Sequence, residues 1–292
     1  MRQLSLFETI PGDRIVNVSS VPLRSPFRYP GGKTWLVPRI RQWLASQPFK
    51  PSESIEPFAG GGIVSLTLAF EDLTEQVTMV ELDDQVSAVW QTIINGDGVG
   101  LAEEIVDFEF SLESVNRILN QSPLSRKDKA FQTLLKNRVN HGGILAAGAG
   151  KIKAGEKGKG LQSRWYPETL KKRILDIVKV RDRLTFIQGD GMEVLLQNAH
   201  RPDVVFFIDP PYTAAGKKAG RRLYTHSELN HEELFRVCSG LAGDFLMTYD
   251  HVESLGELAQ RFGFATRTVA MKNTHHAKMS ELLIGRNLDW VL

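Results

Sequence analysis

Asp209-Pro210-Pro211-Tyr212 follows directly on the apolar run Val204-Val205-Phe206-Phe207-Ile208. The run predicts a fully buried parallel strand. An acid, two prolines and an aromatic ring then stand at a strand's carboxyl end, the edge where open α/β sheets bind ligands. The prolines fix φ twice and remove two donors, which stiffens the turn, and Pro211 holds Pro210 extended. The Asp209 carboxylate and the Pro210 carbonyl could thus accept the two N–H bonds of an amino group on an aromatic base. Such a nitrogen is a poor nucleophile, because its lone pair is delocalised into the ring. Two acceptors would draw it toward tetrahedral geometry and aim the lone pair at a methyl donor. Tyr212 could stack on the base, a contact worth about 1–3 kcal/mol. The alternative is an ordinary proline-rich turn.

Other elements must position this turn and its co-substrate. A short strand ending in Ile55-Glu56 leads through Pro57-Phe58-Ala59 into Gly60-Gly61-Gly62, and then into a buried helix over 63–70. Glycines there let a ligand approach the backbone, and the helix N-terminus adds positive potential. A second strand, Val77–Val80, ends in Glu81, 21 residues after Gly60. An acid at that offset commonly binds ribose hydroxyls. Loop, strand and acid together point to an adenosine-containing cofactor. A helix is expected over 86–94. The βα rhythm then breaks over 97–165, where helices near 99–119 and 126–140 precede a glycine-rich stretch. It resumes with a helix near 167–180, a strand over 184–188 and Gly189-Asp190-Gly191 opening a helix. A helix near 228–239, a strand over 245–248, a helix over 252–262 and strands near 264–271 and 280–285 follow the Asp209 turn. The expected organisation is a tail over 1–21, a catalytic domain over 22–96 and 166–292, and a helical insert over 97–165.

Charge is distributed unevenly. The chain carries a net +2, yet residues 126–173 hold thirteen lysines and arginines against three acids. Such a block on an otherwise acidic protein suits a polyanion better than a merely solvated face. Lys151, Lys153, Lys157 and Lys159 lie among glycines and read as a mobile basic loop. Arg126, Arg138 and Arg164 are candidates for reading base edges, since arginine binds guanine bidentately. Lys217, Lys218, Arg221 and Arg222 follow the Asp209 turn with no nearby acid. Cys238 is the only cysteine, so an internal disulfide and a multi-cysteine zinc site are excluded. No apolar run is long enough for a membrane span, and no signal-peptide plan opens the chain. These features fit a cytoplasmic, nucleoid-associated protein, monomeric or weakly dimeric.

The residues match a family. The chain resembles the Dam-like, D12-class DNA adenine-N6 methyltransferases. It carries Asp-Pro-Pro-Tyr at 209–212, Phe58-Ala59-Gly60-Gly61-Gly62 for the family's Phe-x-Gly-x-Gly loop, and Tyr29-Pro30-Gly31-Gly32-Lys33 for its aromatic-then-Gly-Gly-Lys motif. Lys278 to Ile284 also looks familial. The resemblance covers residues 22–292 and implies a Rossmann-like, S-adenosylmethionine-dependent methyltransferase sheet with a helical DNA-recognition insert. It makes Asp209, Pro210, Pro211 and Tyr212 catalytic. It places Tyr29, Lys33, Pro57, Phe58, Gly60, Gly62, Glu81, Asp190 and Asp209 around S-adenosylmethionine, with Glu81 on the ribose and Asp190 on the adenine. Glu81 replaces the commoner Asp and Tyr29 the commoner Trp. Double-stranded DNA is the implied partner, with the target adenine flipped out of the duplex.

Other readings fit less well. Gly32-Lys33-Thr34 resembles the tail of a P-loop, but Phe27 stands where that motif needs glycine. Cys238 lies on an expected helix, more as a core residue than as the nucleophile of a cytosine-C5 methyltransferase. Cytosine N4, RNA or a protein glutamine could use a related turn; the resemblance and the leading Asp favour adenine in DNA. Adjacent His275 and His276 do not share a face, and no metal site is expected. Gln3-Leu4-Ser5-Leu6-Phe7 resembles the peptide by which bacterial replication and repair proteins dock on a sliding clamp; the alternative is a segment packed on its own core.

Overall fold

The computed structural model describes residues 21–29, 31–146, 148–153, 155, 158–211, 229–250, 252–272 and 278–291. Gln3, Leu4, Ser5, Leu6, Phe7, Lys157, Tyr212, Lys217, Lys218, Arg221, Arg222, His275 and His276 lie outside the described residues. Strands β1 (Glu53–Glu56), β2 (Gln76–Glu81), β3 (Leu184–Gln188), β4 (Val204–Ile208), β5 (Asp244–Asp250), β6 (Ala265–Lys272) and β7 (Lys278–Gly285) form one sheet in the order β3-β2-β1-β4-β5-β7-β6. The first five are parallel, and β7 runs antiparallel between β5 and β6. The chain winds outward from β1 to β3, then restarts at β4 on β1's other side. That reversal leaves a crevice outside the carboxyl ends of β1 and β4. The register Ile55↔Phe206 sets the Pro57 loop and the Asp209 turn side by side across it.

Both faces of the sheet are covered, which is why β4 reads as an unbroken apolar run. Val205 and Phe207 belong to one core, while Val204, Phe206 and Ile208 belong to the other. Helices α1 (Val37–Ala45), α2 (Ile63–Phe70), α3 (Asp84–Asn95) and α7 (Pro167–Lys179) pack into the first core, and α8 (Gly191–Asn198), α9 (His231–Ser239) and α10 (Glu253–Arg261) into the second. The α1 helix, entered through a 3-10 turn at Lys33–Leu36, has no counterpart in the sequence reading.

The region over 97–165 is helical but differs from expectation in two respects. The single helix read near 99–119 is two, α4 (Gly98–Asp107) and α5 (Leu112–Asn120). Ser111 caps α5 by accepting from the Ser114 N–H, while Phe108 and Phe110 turn inward against Trp165. A local cap and two partly buried rings override the helical pattern there. The stretch after α6 (Arg126–Val139) starts as a paired hairpin: His141 donates to Gly150 O, Ile152 donates to Val139 O, and Asn140 bridges Lys151. Leu101, Ile105, Val115, Phe131, Leu134 and Leu135 share one core with Val77, Val205 and Leu246. These helices therefore pack against α3 and α7, on the side of the sheet that those two helices cover. Among the described residues no helix is long and apolar enough to cross a membrane.

Candidate active site

Asp209 leaves the end of β4 beside Thr248 of β5, because the parallel register pairs Ile208 with Met247. The fully buried Thr248 donates its hydroxyl to Asp209 Oδ1 at 2.9 Å. Lys33 Nζ lies 2.9 Å from Asp209 Oδ2, 3.1 Å from Gly31 O and 3.7 Å from Glu281 Oε2. Burial pulls the Lys33 pKa down, but the negative charges of Asp209, Glu281 and Asp250 outweigh it, and the net shift is upward. Among the described residues each oxygen of Asp209 thus meets a donor. The sequence reading set Lys33 beside a cofactor; the structure shows it also gripping the catalytic candidate.

A cavity of about 510 Å³ opens at the crevice, within the usual size of cofactor sites. Tyr29, Lys33, Pro57, Phe58, Gly60, Gly62, Glu81, Asp190, Asp209, Pro210 and Pro211 all border it. The sequence is separated widely here, yet the fold brings these residues to one wall. Gly60 and Gly62 adopt φ of 46° and 62°, which favour glycine. A Cβ on Gly60 would stand 2.6 Å from the Tyr29 ring, so the ring lies directly on the loop. Gly191 meets the opposite wall in the same way: its Cβ would fall 2.1 Å from Pro57 O.

The lining fits S-adenosylmethionine. Glu81 accepts from the Gly60 N–H at 3.0 Å with one oxygen and from the Asp83 N–H at 2.8 Å with the other. A ribose brought to this wall would meet the remaining lone-pair directions of Glu81. Burial pushes the Glu81 carboxyl up to about 7, against the pull of the Asp83 N–H. Asp190 caps α8 by accepting from the Met192 N–H through Oδ1, leaving Oδ2 for an adenine amino group. Leu82 and Leu196 line the cavity yet are 46% and 58% exposed. A flat ring laid against them would cover that apolar surface.

Two buried carboxyls complete the site, and the sequence reading gave neither a role. Glu56, at the end of β1, accepts from the Ser65 N–H at 3.0 Å and from the Ser65 hydroxyl. Burial raises it to about 8, with Ser65 opposing. Its place at a strand's carboxyl end was a signal available in the sequence. Glu281 of β7 is pushed by burial up to about 7, with Lys33 lowering it and Asp209 raising it. Its contact, and that of Thr248, depend on the order of β4, β5 and β7, which no local pattern announces.

The basic candidates separate. Arg126, Lys151, Lys153 and Lys159 are exposed, and Arg164 is partly so. Lys151 donates to Asn116 Oδ1 at 2.6 Å. Arg138 requires correction as a reader of base edges. It is 5% exposed on the inner side of α6, and its guanidinium donates to Pro26 O. Cys238 is buried, and burial pushes its thiol well up, which leaves it unsuited to nucleophilic attack.

The model of one protein family, described as D12 class N6 adenine-specific DNA methyltransferase, matches residues 29–273. No curated protein matches the chain. Among solved structures, an rRNA methyltransferase of Streptomyces viridochromogenes is 13% identical, with 88% of this chain and 86% of that one covered and a TM-score of 0.38. A precorrin-6y C5,15-methyltransferase of Geobacter metallireducens is 11% identical over 89% and 91%, with a TM-score of 0.38. A precorrin-8w decarboxylase of Methanobacterium thermoautotrophicum is 13% identical over 89% and 94%, with a TM-score of 0.37. Likenesses this distant bear on neither substrate nor residue roles.

Proposed function

Because the chain belongs to the D12 class N6 adenine-specific DNA methyltransferase family, it is an S-adenosylmethionine-dependent methyltransferase, and we propose that it methylates adenine N6 in duplex DNA. The observation that carries this reading is the Asp209 carboxylate, oriented by Thr248 and Lys33 at the mouth of the cavity. S-adenosylmethionine supplies an electrophilic methyl group when bound. Tyr29, the Gly60–Gly62 loop, Glu81 and Asp190 would hold it. Asp209 and the Pro210 carbonyl accept the two N–H bonds of the target amine, which localises its lone pair. The Lys33 and Thr248 donors keep Asp209 aimed while it accepts. Pro210 and Pro211 prevent the turn from yielding. A base amino group is sheltered inside a duplex, so the adenine must leave the stack to reach Asp209. Tyr212, next in the chain, is the candidate for stacking on it.

Asp209→Ala tests the assignment. With adenine-containing duplex DNA and labelled cofactor, turnover should fall by about 100- to 1000-fold, the scale set by loss of one polar contact made to the reacting group. The fold should persist, measured by circular dichroism. Near-normal turnover in the variant would overturn the role of Asp209. Mass analysis of the digested product identifies the methylated base directly, and a mark on cytosine N4 or on RNA alone would overturn the substrate.

A further inference from the structure

Lys33 enters the site from the 3-10 turn at Lys33–Leu36 and is 3% exposed. Its Nζ stands 2.9 Å from Asp209 Oδ2, after β4, and 3.7 Å from Glu281 Oε2, in β7. Glu281 is itself 5% exposed, and its Oε2 has no hydrogen-bond partner among the described residues. A buried carboxylate oxygen left without a hydrogen bond is costly, and in a native site it calls for a reason. The ladders define the rest of its setting. Glu281 pairs with Asp250 of β5 on one side and with Val269 of β6 on the other, so the Asp250 side chain stands on the same face of the sheet. Burial pushes the Glu281 carboxyl up to about 7, Lys33 lowers it, and Asp209 and Asp250 raise it. Lys33 and Asp209 are among the residues that border the cavity and Glu281 is not, so Glu281 reaches the chemistry through Lys33.

An ammonium so close to Asp209 has two opposed effects. It orients the carboxylate, and it draws charge out of the group that has to accept from the target amine. The amine nitrogen gains positive charge as its bond to the methyl carbon forms, and a carboxylate fully neutralised by Lys33 would do little for that charge. A second carboxylate on the same ammonium divides its pull. We infer that Glu281 is a positioning residue for methyl transfer, which by sharing the Lys33 ammonium keeps Asp209 both aimed and electron-rich toward the target amine. The inference rests on the reading of Asp209 as the group that meets that amine. It accounts for an acid where an apolar side chain would fill the same space without the cost of burying a charge. It also gives β7 a part in the chemistry, although the strand lies two places from β4 in the sheet.

The test measures kcat of the intact protein against pH, with adenine-containing duplex DNA and labelled S-adenosylmethionine both saturating. Saturation takes the titration of Glu81 in cofactor binding out of the profile. The wild-type kcat should rise as Glu281 ionises, through about pH 7. Glu281→Gln should lose that rising limb and fall about 10- to 100-fold in kcat on the alkaline side, the scale of a small misplacement of a reacting group, with the KM for cofactor unchanged. Glu281→Asp, which keeps the charge, should keep the limb. Adding Glu281→Gln to Lys33→Met should cost nothing further, because the residue through which Glu281 acts is already gone. A wild-type profile level through pH 7 would overturn the inference, and that measurement needs no variant to fold. So would a Glu281→Gln protein of lower kcat whose pH profile matches the wild type's, since that pattern marks a merely structural acid. Losses that add in the double variant would overturn it too. If Asp209→Ala loses turnover while Glu281→Gln keeps it, this inference alone fails; if Asp209→Ala keeps turnover, the reading of Asp209 fails and takes the inference with it.

Discussion

Asp209 is useful only because of what holds it. Thr248 and Lys33 take one oxygen each, and Lys33 in turn faces the buried Glu281. A carboxylate free to rotate would lose entropy each time it met an amine; this one is set beforehand. Glu81 shows the same economy, with two backbone N–H groups fixing it and two lone-pair directions left over. Its pKa, raised to about 7 by burial, makes cofactor binding sensitive to pH. On the proposal that Glu81 holds the ribose, the ionised form accepts both hydroxyls, whereas the protonated form has lost an acceptor. Affinity for the cofactor should therefore rise as pH climbs toward 7 and level off above it, by up to about tenfold per pH unit on the rising limb. Calorimetric titrations between pH 5.5 and 8.5 measure this, and Glu81→Gln should bind weakly with a flat profile. A wild-type profile as flat as the variant's would show that Glu81 does not meet the ribose.

The unit of β1, the glycine loop and α2 joins site to scaffold. Gly60 and Gly61 allow Tyr29 to lie on the loop, and Glu56 ties the first turn of α2 to the end of β1 through Ser65. Glu56 carries a folded-state pKa of about 8 against an ordinary 4.5. The folded state therefore holds a proton that the unfolded chain releases. The associated stability is fully present below pH 4.5 and is lost as pH rises through 8. Glu81 and Glu281, both raised to about 7, act in the same direction. The melting temperature of the cofactor-free protein should thus fall between pH 5 and pH 9. Glu56→Gln keeps the shape and an acceptor for Ser65, so its melting temperature should fall less over that range. Parallel declines for the two proteins in differential scanning calorimetry would rule out a buried, proton-holding Glu56.

At the scale of the whole molecule, the helices over 97–139 share a core with the sheet, so the basic segment that follows is carried on the catalytic body. The N-terminal Gln3-Leu4-Ser5-Leu6-Phe7 could add a second attachment. If these residues dock on a sliding clamp, Leu6 and Phe7 fill an apolar pocket, and at about 1.5–3 kcal/mol each before ordering costs they suffice for micromolar affinity. The double change Leu6→Ala, Phe7→Ala should abolish clamp binding in surface plasmon resonance and leave methylation of short duplexes intact. Failure of the unaltered protein to bind any clamp would end this idea.

Local chemistry sufficed for much of this. The apolar run of β4, the acid and prolines after it, the glycines before α2 and the acid closing β2 each carry their meaning within a few residues. Backbone sterics and strand burial act at that range. They led to a Rossmann-like sheet and to most of the cavity wall. Other features became visible only in three dimensions. Thr248 reaches Asp209 through a parallel register, and Glu281 reaches Lys33 because β7 inserts beside β5. Arg138 turned from an expected base contact into a buried one because α6 presents its inner side to residues 25–28. The break between α4 and α5 came from a serine cap and from rings gathered around Trp165. In each case the deciding contact joins residues far apart in the chain, and side-chain burial and electrostatics depend on that proximity. Sequence named the groups able to do the chemistry; tertiary packing determined which of them face one another and which are buried.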